Sequence, residues 1–509
     1  MHSDLPDVAV PDSTLPGYVL ARSAEFADRV AVTDAEGRRS YTYAELATAV
    51  RQAAGGLRSR GFGKGDVVAI LSPNVPDYVV AYYAAVTAGG SVLHLNPLDT
   101  IADHVRTIGR TKTSFLMAGP GTPGKELAEA AGIQQLVLLD AGEGEDAFAS
   151  LLADSAEFEE VAVSPAHDIA SVMNSSGSTG LPKSVALTHR NLVAATLQTV
   201  TGIPLQPGDT TLAVPPFHHA FGLIMVMHAT LAQGATLVTM PRFEPTAYLQ
   251  AIQDHRITRL YVVPTLVALL TKSPLVDKYD LTSVRDMVSG GAALDPEMAQ
   301  QCRDRLNCGL AQGYGMTEAM MSLMQRDFSA KTASVGRPSV NVTIKVVDPD
   351  TKQERRQGEI GEVLIRGPHV MQGYLDDEEA TRDALDADGY LRTGDLGWIG
   401  SDGELTLGDR LKEIIKYKGH QVSPTELEHI LLSHPKVSDA AVIGIPDEEA
   451  SEIPKAFVVL SEPVDLEEIM SFVNDQVAPY KKIRRCEIVD TIPKTAVGKI
   501  ARQELKRAS

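Results

Sequence analysis

Short apolar runs alternate with helix-type patterns along this chain, and this alternation restricts the possible folds more than any other feature. Strand-like runs cover residues 67–71, 91–95 and 136–139, and a helical pattern covers residues 78–88. Strands that alternate with helices are typical of layered structures in which a helix crosses over between neighbouring strands. The alternation continues past residue 300. We therefore expect an α/β fold.

One helix can be placed from its start signal. Thr42 and Glu45 have the spacing of a capping box, in which each side chain accepts a hydrogen bond from the other residue's backbone N–H. Apolar residues then recur at helical spacing as far as Gly61: Leu46, Val50, Ala53 and Leu57. This pattern predicts an amphipathic helix with one buried face.

The length of 509 residues exceeds what one ordinary core supports. After Gly408 the sequence changes to closely spaced basic residues, followed by short helices and strands. Capping signals at residues 423–426 and 465–468 predict two helices, and residues 440–445 and 456–460 read as strands. We predict an N-terminal body of residues 1–408, a hinge at 409–413 and a C-terminal domain of 414–509.

Composition argues against several classes of partner. The 47 basic and 66 acidic side chains give a formal charge of -19, which repels nucleic acid and anionic membranes. Cys302, Cys308 and Cys486 lack the spacing of a disulfide framework or a zinc site. The N-terminus lacks the basic and apolar regions of a signal peptide. We expect a cytoplasmic protein with reduced thiols.

Residues 210–241 contain no Asp, Glu, Lys or Arg, but prolines, histidines and a glutamine interrupt them. This composition argues against a membrane span and favours a buried strand, loop and helix.

A loop rich in glycine and hydroxyl residues extends from Ser175 to Lys183 between two apolar runs. Glycines let backbone N–H groups turn toward an anion, hydroxyls add donors, and the lysine adds a positive charge, so such a loop suits phosphate. The spacing is not that of a Walker A loop, because Leu181 and Pro182 separate the last glycine from the lysine. Alone, the segment could equally be a solvated hairpin loop.

Further motifs follow in a fixed order: QGYGMTE at 312–318, YLRTGD at 390–395, DRLK at 409–412 and PKTAVGK at 493–499. Together they resemble the adenylate-forming superfamily of acyl-CoA synthetases, 4-coumarate:coenzyme A ligases, beetle luciferases and peptide-synthetase adenylation domains. NSSGSTGLPK, FHHAFG and DRLKEIIKYKGHQVSPTELE are most similar to the coumarate ligases and luciferases. The resemblance covers almost the whole chain and implies a large multi-layer α/β body with a small mobile C-terminal α/β domain.

The resemblance implies an ATP site and a Mg2+ site. The residues it assigns to the β- and γ-phosphates are Ser175, Ser176, Gly177, Ser178, Thr179, Gly180 and Lys183. It assigns the α-phosphate to Thr317 and Mg2+ to Glu318. Adenine would be flanked by Gln312, Gly313 and Tyr314, and the ribose would meet Asp395 and Arg410. Lys499 resembles the mobile lysine that reaches the carboxylate and the α-phosphate during adenylation.

The resemblance also implies an acid pocket and a coenzyme A site. His218 resembles a gate residue on the route to the acyl carbonyl. The residues implied to line the pocket are His219, Ala220, Phe221, Gly291, Gly313, Gly315, Met320, Met321, Ser322 and Leu323. Lys412, Lys416 and Gln421 would face the acyl-AMP, and Lys418 and Gly419 would lie at the coenzyme A tunnel.

Several positions depart from the patterns typical of family members. Ser184 replaces the glycine that most often follows the loop lysine. Ala220 stands where coumarate ligases typically have tyrosine, and Met320-Met321-Ser322 stands where they have Gly-Pro-Val. His218 stands where peptide synthetases place an aspartate as counterion for an α-ammonium group, so an α-amino acid is a poor candidate substrate.

The expected reaction is formation of an acyl-AMP from a hydrophobic carboxylate and Mg-ATP, followed by acyl transfer to coenzyme A. Three alternatives remain open at this point. The acceptor thiol could be the pantetheine of an acyl carrier protein. The adenylate could be oxidised, as in a luciferase-like oxygenase. The chain could also have kept the fold as a non-catalytic nucleotide-binding protein.

Overall fold

The computed structural model describes residues 1–140, 147–153, 161–175, 183–330, 333–411, 413–418, 420–447, 449–495 and 499–509, without the side chains of Asp409 and Gln421. The chain divides into two compact units. The first takes in residues up to Ile344 together with Ile365–Leu391, and the second takes in Lys345–Leu364 and Arg392–Ser509. The predicted hinge at 409–413 and the limits of the predicted domains stay predictions.

The strands are, in chain order, β1 (Val30–Asp34), β2 (Ser40–Thr42), β3 (Val67–Leu71), β4 (Ser91–Leu95), β5 (Phe115–Ala118), β6 (Gln135–Leu138), β7 (Ile169–Ser175), β8 (Lys183–Thr188), β9 (Thr210–Ala213), β10 (Thr236–Thr239), β11 (Arg259–Val262), β12 (Asp286–Ser289), β13 (Gly309–Met316), β14 (Met320–Met324), β15 (Arg337–Pro338), β16 (Thr343–Val347), β17 (Gly361–Arg366), β18 (Gly373–Tyr374), β19 (Leu391–Ile399), β20 (Leu405–Arg410), β21 (Ile415–Tyr417), β22 (His420–Val422), β23 (Val437–Asp447), β24 (Ser451–Leu460) and β25 (Arg485–Ile488).

The α-helices are, in chain order, α1 (Leu15–Val19), α2 (Tyr43–Ser59), α3 (Pro76–Thr87), α4 (Ile101–Thr111), α5 (Gly124–Ala131), α6 (Phe148–Ala153), α7 (His189–Gly202), α8 (Ala229–Ala232), α9 (Pro245–Asp254), α10 (Pro264–Lys272), α11 (Pro296–Leu306), α12 (Glu378–Ala384), α13 (Pro424–Leu432), α14 (Leu466–Asn474) and α15 (Arg502–Arg507). A π-helix covers Phe221–His228, and short 3-10 helices cover Pro274–Lys278 and Pro479–Lys481.

Two large sheets form the framework of the first unit. The seven-stranded sheet has the order β18-β8-β7-β4-β3-β5-β6, and the nine-stranded sheet has the order β15-β14-β13-β12-β11-β9-β10-β1-β2. Both have a parallel central part, and each ends in antiparallel strands at the side that includes β8 or β14. The predicted α/β fold is therefore confirmed.

Local signals placed several elements correctly. The strands predicted at 67–71 and 91–95 are β3 and β4, and the helix predicted at 78–88 is α3. The capping box of α2 forms as expected: the N–H of Glu45 donates to Thr42 Oγ1 over 3.2 Å, and the N–H of Thr42 donates to Glu45 Oε2 over 2.8 Å. The predicted apolar stripe of α2 is buried.

The uncharged stretch at 210–241 forms β9, a loop, the π-helix, α8 and β10. Every residue of the π-helix is buried. Among the described residues, no helix has the length and apolar character needed to cross a membrane.

A buried ion pair links two central strands of the nine-stranded sheet. Arg259 of β11 and Asp286 of β12 are partners in the strand register. The guanidinium donates to both carboxylate oxygens of Asp286, and it also donates to the carbonyl of Ile203 over 2.6 Å. Only 4% of the Arg259 side chain is exposed, so the carboxylate is required to compensate the charge.

The second unit is built on two further sheets. One has the order β16-β17-β19-β20, and the other has the order β22-β21-β24-β23 with β25 beside β24. Helices α13 and α14 contribute buried residues to the core of the second sheet, including Leu427 and Ile469. The two predicted C-terminal helices and the two predicted strands are therefore confirmed.

The cap of α13 forms only in part. The N–H of Glu426 donates to Ser423 Oγ over 2.9 Å, as predicted. The Glu426 carboxylate, however, accepts two hydrogen bonds from Lys481 at 2.7 and 2.8 Å instead of returning to the backbone of Ser423. A charged partner brought in by tertiary structure competes successfully with the local backbone donor.

Candidate active site

The predicted phosphate loop joins the two strands of a hairpin. Strands β7 and β8 pair antiparallel, with Ser175 opposite Lys183. Ser175 is buried, whereas Lys183 is partly exposed. The loop residues between them, including Ser176, Gly177, Ser178, Thr179 and Gly180, lie outside the described part of the chain. The structure thus defines the two ends of the loop.

Ser184 is accommodated inside this hairpin. Its side chain is buried, and its hydroxyl donates to Asn174 Oδ1 over 3.3 Å. Asn174 is the residue opposite Ser184 in the register of β7 and β8. The serine that replaces the usual glycine therefore adds a cross-strand hydrogen bond next to the loop.

Thr317 and Glu318 lie in the turn between β13 and β14. The turn is tight: an added Cβ at Gly315 would lie 1.7 Å from the carbonyl oxygen of Met320. Met320 has a φ of 38°, which an L-residue seldom adopts. Thr317 is partly exposed and Glu318 is buried. Close packing of β13 against β14 thus fixes the backbone positions that carry the Thr317 and Glu318 side chains.

A tyrosine that was not among the site residues expected from the sequence connects Glu318 to Lys183. The hydroxyl of Tyr374 donates to Glu318 Oε1 over 2.9 Å. The ammonium of Lys183 lies 4.7 Å from the centroid of the same ring. No local pattern identified Tyr374, because its neighbours are brought to it by sheet pairing and by the turn at Glu318.

The donor set around Glu318 fits magnesium. In the part of the chain that the structure describes, no three His, Cys, Asp or Glu side chains cluster as a metal site. Mg2+ does not need such a cage, because it keeps several waters and is usually held by one or two carboxylates together with substrate phosphates. A single buried carboxylate beside the end of a phosphate-type loop is compatible with that mode of binding.

The histidine pair comes just before the π-helix. Loss of hydration within the protein lowers the pKa of His218 to about 3, and the neighbouring His219 contributes a smaller repulsion. His218 is therefore neutral at pH 7. The N–H of Phe221 donates to Nδ1 of His219 over 3.3 Å. Ala220 and Phe221 are both largely buried.

Phe221 lies next to a glycine pair, Gly290 and Gly291, that directly follows strand β12. The Phe221 ring would lie 3.4 Å from a Cβ added at Gly290, and the next residue, Gly291, has a φ of 89°. Of the expected pocket residues, the structure brings Phe221 close to this glycine segment. Small residues here leave space for the ring.

The residues expected to form the other wall belong to the strand pair β13 and β14. Met320, Met321 and Leu323 are buried. Ser322 is fully buried as well, and its hydroxyl is bonded to the carbonyl of Ala319 at 2.7 Å and to Nε2 of His369 at 3.0 Å. The only polar side chain of this segment is thus engaged within the protein.

Gln312, expected beside adenine, has its side chain engaged in the sheet. Its Oε1 accepts from the N–H of Leu294 over 3.3 Å, and its Nε2 donates to the carbonyl of Ser334 over 2.9 Å. Gly313 and Tyr314 follow it in β13 and are partly exposed. Among these three residues, the glycine and the tyrosine retain more surface than the buried glutamine.

In the second unit, Asp395 and Arg410, which were both expected beside the ribose, form an ion pair. They are partners in the register of β19 and β20, and Arg410 Nε donates to Asp395 Oδ1 over 2.8 Å. The N–H of Asp395 donates to Thr393 Oγ1 over 3.0 Å, and that hydroxyl donates to the carbonyl of Val363 over 2.7 Å. The bond from Arg410 orients the carboxylate, and the bond to Thr393 holds the backbone that carries it.

Of the remaining C-terminal residues, the structure describes three exposed lysines, Lys416, Lys418 and Lys499. Lys499 is exposed; its N–H donates to Thr495 Oγ1 over 3.2 Å, and its carbonyl accepts from the N–H of Thr495 over 2.7 Å. Lys416 and Lys418 are exposed on and next to β21, and Lys418 has a φ of 48°. Lys412, Gly419 and the side chain of Gln421 lie outside the described residues.

The matches to known protein families extend over both units. The model of the family described as "AMP-binding enzyme" matches residues 20–375, and that of the "AMP-binding enzyme C-terminal domain" matches residues 426–499. A relative named 4-coumarate–CoA ligase 1 from Solanum tuberosum is 38% identical over 99% of this chain and 96% of its own length.

Solved structures show the same fold. ATP-bound MatB from Rhodopseudomonas palustris superposes with a TM-score of 0.89 at 27% identity, covering 97% of this chain and 99% of that one. The anthranilate CoA ligase AuaEII in complex with anthranoyl-AMP gives a TM-score of 0.88 at 26% identity, covering 99% and 98%. The chain therefore belongs to the AMP-binding enzyme family.

Proposed function

We propose that this protein is an AMP-forming carboxylate–CoA ligase that acts on a hydrophobic acid, either an aryl acid or a medium-chain aliphatic one. The observation that carries this proposal is the similarity to a 4-coumarate–CoA ligase along 99% of the chain. The superposition on an anthranilate CoA ligase supports an aryl acid. We place the reaction in the cytoplasm, where ATP and coenzyme A are available and where Cys302, Cys308 and Cys486 would stay reduced.

In the first half-reaction a carboxylate oxygen attacks the α-phosphorus of ATP. The bond from that phosphorus to the bridging oxygen breaks, and pyrophosphate leaves. Both reactants are anions, so the reaction needs cations at the phosphates. We assign Lys183 and the loop that begins at Ser175 to the β- and γ-phosphates, Thr317 to the α-phosphate, and Lys499 to the carboxylate and α-phosphate.

Glu318 would hold Mg2+, which supplies positive charge to the phosphates when it is bound. The buried carboxylate with its tyrosine donor supports this assignment. Gly313 and Tyr314 would flank the adenine through backbone and ring, since the Gln312 amide is bonded within the sheet.

Asp395 would accept the ribose hydroxyls, with Arg410 fixing the carboxylate. Carboxylate oxygens accept such hydrogen bonds strongly. The hydrogen-bonded chain from Val363 through Thr393 to Asp395 supports a role that requires a fixed orientation.

In the second half-reaction the sulfur of coenzyme A attacks the acyl carbonyl carbon, the bond from that carbon to the phosphate oxygen breaks, and AMP leaves. We propose that the C-terminal domain turns at the hinge 409–413 between the two steps. This motion would withdraw Lys499 and bring Lys418 and Gly419 to the coenzyme A tunnel. Lys412, Lys416 and Gln421 would then face the acyl-AMP.

The acid pocket would be formed by the segment from His218 to Phe221 and by the β13–β14 pair. Since His218 is neutral at pH 7, it offers hydrogen bonding without a full positive charge. The buried Phe221, Met320 and Met321 supply apolar walls. An α-ammonium group would be buried there without the aspartate that peptide synthetases place at the position of His218.

The experiment is a panel of acids assayed for pyrophosphate release with and without coenzyme A. Hexanoate has four more methylenes than acetate, so burial predicts a gain of about 3 kcal/mol, or roughly 200-fold in catalytic efficiency. The matched pair is 3-phenylpropanoate and phenylalanine, which differ by the ammonium group. We expect activity with the former and almost none with the latter. A preference for acetate or phenylalanine would contradict the pocket assignment.

The acceptor is tested with the best acid of the panel. Mass spectrometry should find the acyl-CoA when coenzyme A is supplied. Transfer only to a pantetheinylated carrier protein would replace coenzyme A as the acceptor, and light emission from luciferin and O2 would indicate the oxygenase alternative. Absence of pyrophosphate release with every acid would refute adenylate formation itself.

A further inference from the structure

Tyr374 contacts two charged groups of opposite sign. The face of its ring lies under the Lys183 ammonium at 4.7 Å, and its hydroxyl donates to Glu318 Oε1 over 2.9 Å. The negative face of an aromatic ring attracts a cation, and a phenolic O–H donates well to a carboxylate. One side chain thus interacts favourably with both charges.

Backbone hydrogen bonds hold the tyrosine in this place. In the register of β18 and β8, Tyr374 is opposite Val185, and the N–H of the next residue, Leu375, donates to the carbonyl of Ser184 over 2.8 Å. On the other side, the N–H of Met371 donates to the carbonyl of Glu318 over 2.8 Å. The segment containing Tyr374 is therefore bonded both to the phosphate hairpin and to the Thr317–Glu318 turn.

The arrangement separates charges that would otherwise neutralise each other. In the described part of the chain, Lys183 and Glu318 each contact Tyr374 instead of pairing with one another. A direct lysine–glutamate pair would leave less charge available for a ligand. A phenol is protonated at neutral pH, so the Tyr374 hydroxyl is available as a hydrogen-bond donor to Glu318.

We propose that Tyr374 is a positioning residue that orients the Glu318 carboxylate toward Mg2+ and the Lys183 ammonium toward the triphosphate. This inference rests on the proposed function, because the roles of Lys183 and Glu318 belong to it. The tyrosine touches neither reacting atom. It acts through the two charged side chains.

Two substitutions separate its two contacts. Tyr374→Phe removes the hydroxyl and keeps the ring under Lys183. Tyr374→Leu removes both. Because a hydrogen bond to a charged group is lost, Tyr374→Phe should raise the Mg2+ concentration for half-maximal pyrophosphate release by roughly tenfold or more, with little change in the KM for ATP. Tyr374→Leu should raise the KM for ATP as well, by roughly two- to fivefold.

A second tyrosine provides a matched control. Arg39 lies 4.7 Å above the ring of Tyr41, and the Tyr41 hydroxyl donates to Asp77. A cation, a ring, a hydroxyl and a carboxylate meet here as around Tyr374, except that Arg39 also pairs directly with Asp77 over 2.8 Å. Tyr41 is in β2, and Asp77 is in the first turn of α3. Tyr41→Phe should leave the Mg2+ midpoint and the KM for ATP unchanged.

Titration calorimetry with a non-hydrolysable ATP analogue gives a readout apart from activity. Binding of the analogue to Tyr374→Phe should be weakened in the presence of Mg2+ and nearly unchanged in the presence of EDTA. Thermal melting identifies effects on folding alone. An unchanged Mg2+ midpoint in Tyr374→Phe, or equal weakening with and without Mg2+, overturns the proposal even if the variant melts earlier.

The outcome also separates this inference from the proposed function. If the wild-type protein releases pyrophosphate with an acid of the panel and Tyr374→Phe behaves like the wild type, the positioning role is wrong and the ligase function stands. If the wild type binds the ATP analogue but releases no pyrophosphate with any acid, the proposed function is wrong. The calorimetric comparison still tests Tyr374 in that case.

Discussion

Acidification should destabilise the fold through its buried histidines. His94, His189, His228 and His369 each have at most 2% of their surface exposed. Burial lowers the pKa of His94, His228 and His369 from 6.5 to about 3. Burial lowers that of His189 to about 4, against a smaller opposing effect of Asp168. All four are neutral in the folded protein at pH 5.5, where an ordinary histidine is mostly protonated.

The direction of the stability change follows from proton binding. The unfolded chain takes up protons on these histidines as the pH falls through 6.5, and the folded chain does not. The contribution of these histidines to the free energy of unfolding is therefore complete above pH 6.5 and is lost progressively below it. At pH 5.5 each histidine costs about 1.4 kcal/mol, so the four together cost between about 5 and 6 kcal/mol. This approaches the total stability of many domains.

The assay is urea unfolding at a series of pH values from 7.5 to 5.5. Carboxylates with a lowered pKa, such as Asp209, lose their contribution only below their ordinary 3.8, so this window reports mainly on histidines. His228→Asn keeps an acceptor for the Tyr83 hydroxyl, which lies 2.7 Å from Nδ1 of His228. This variant should lose about 1.4 kcal/mol less than the wild type on acidification.

His167 is exposed, so His167→Asn serves as the control and should follow the wild-type curve. Equal acid loss in His228→Asn and the wild type would refute the assignment of the effect to buried histidines. So would a wild-type stability that stays constant between pH 7.5 and 5.5.

Three further predictions concern the chemistry and the framework. Lys499→Ala should abolish acyl-AMP formation while acyl transfer from preformed acyl-AMP to coenzyme A continues, and equal loss in both assays would contradict the two-step role of this lysine. Asp286→Ala should cost about 3–5 kcal/mol in urea unfolding because it leaves the Arg259 charge buried without its carboxylate, and Arg259→Met added to it should recover part of that loss. Gly315→Ala should lower the melting temperature and weaken ATP binding, since its Cβ would lie 1.7 Å from the carbonyl oxygen of Met320; a variant with unchanged melting would show that the turn can relax.

Features that depend on residues close in sequence were predictable. Strand β3 is a continuous apolar run and β4 is mostly apolar, and the cap of α2 depends on residues three positions apart. The hairpin around the phosphate loop was predictable for the same reason. The capping box predicted for α13 forms only at Ser423, because Glu426 binds Lys481 instead. Lys481 lies far along the chain, so no local rule includes it.

Features created by pairing between distant segments were not predictable. Tyr374 is a member of a two-residue strand, and its position depends on the register with β8. The engagement of Ser322 with His369 also requires the folded chain. The π-helix was missed because its residues are apolar on every side, so its sequence has no periodicity that would identify the helix type.

That π-helix bears on how the chain tolerates changes in length. Its hydrogen bonds span one residue more than those of an α-helix, so each of its turns holds additional backbone. Loss of one residue within Phe221–His228 can be absorbed if the segment tightens to α-helical geometry, which leaves α8 in register. The same deletion inside α8 would rotate every later side chain of that helix by about 100°. Insertions and deletions that reshape the segment after the histidine pair can therefore accumulate without disturbing the packing beyond it.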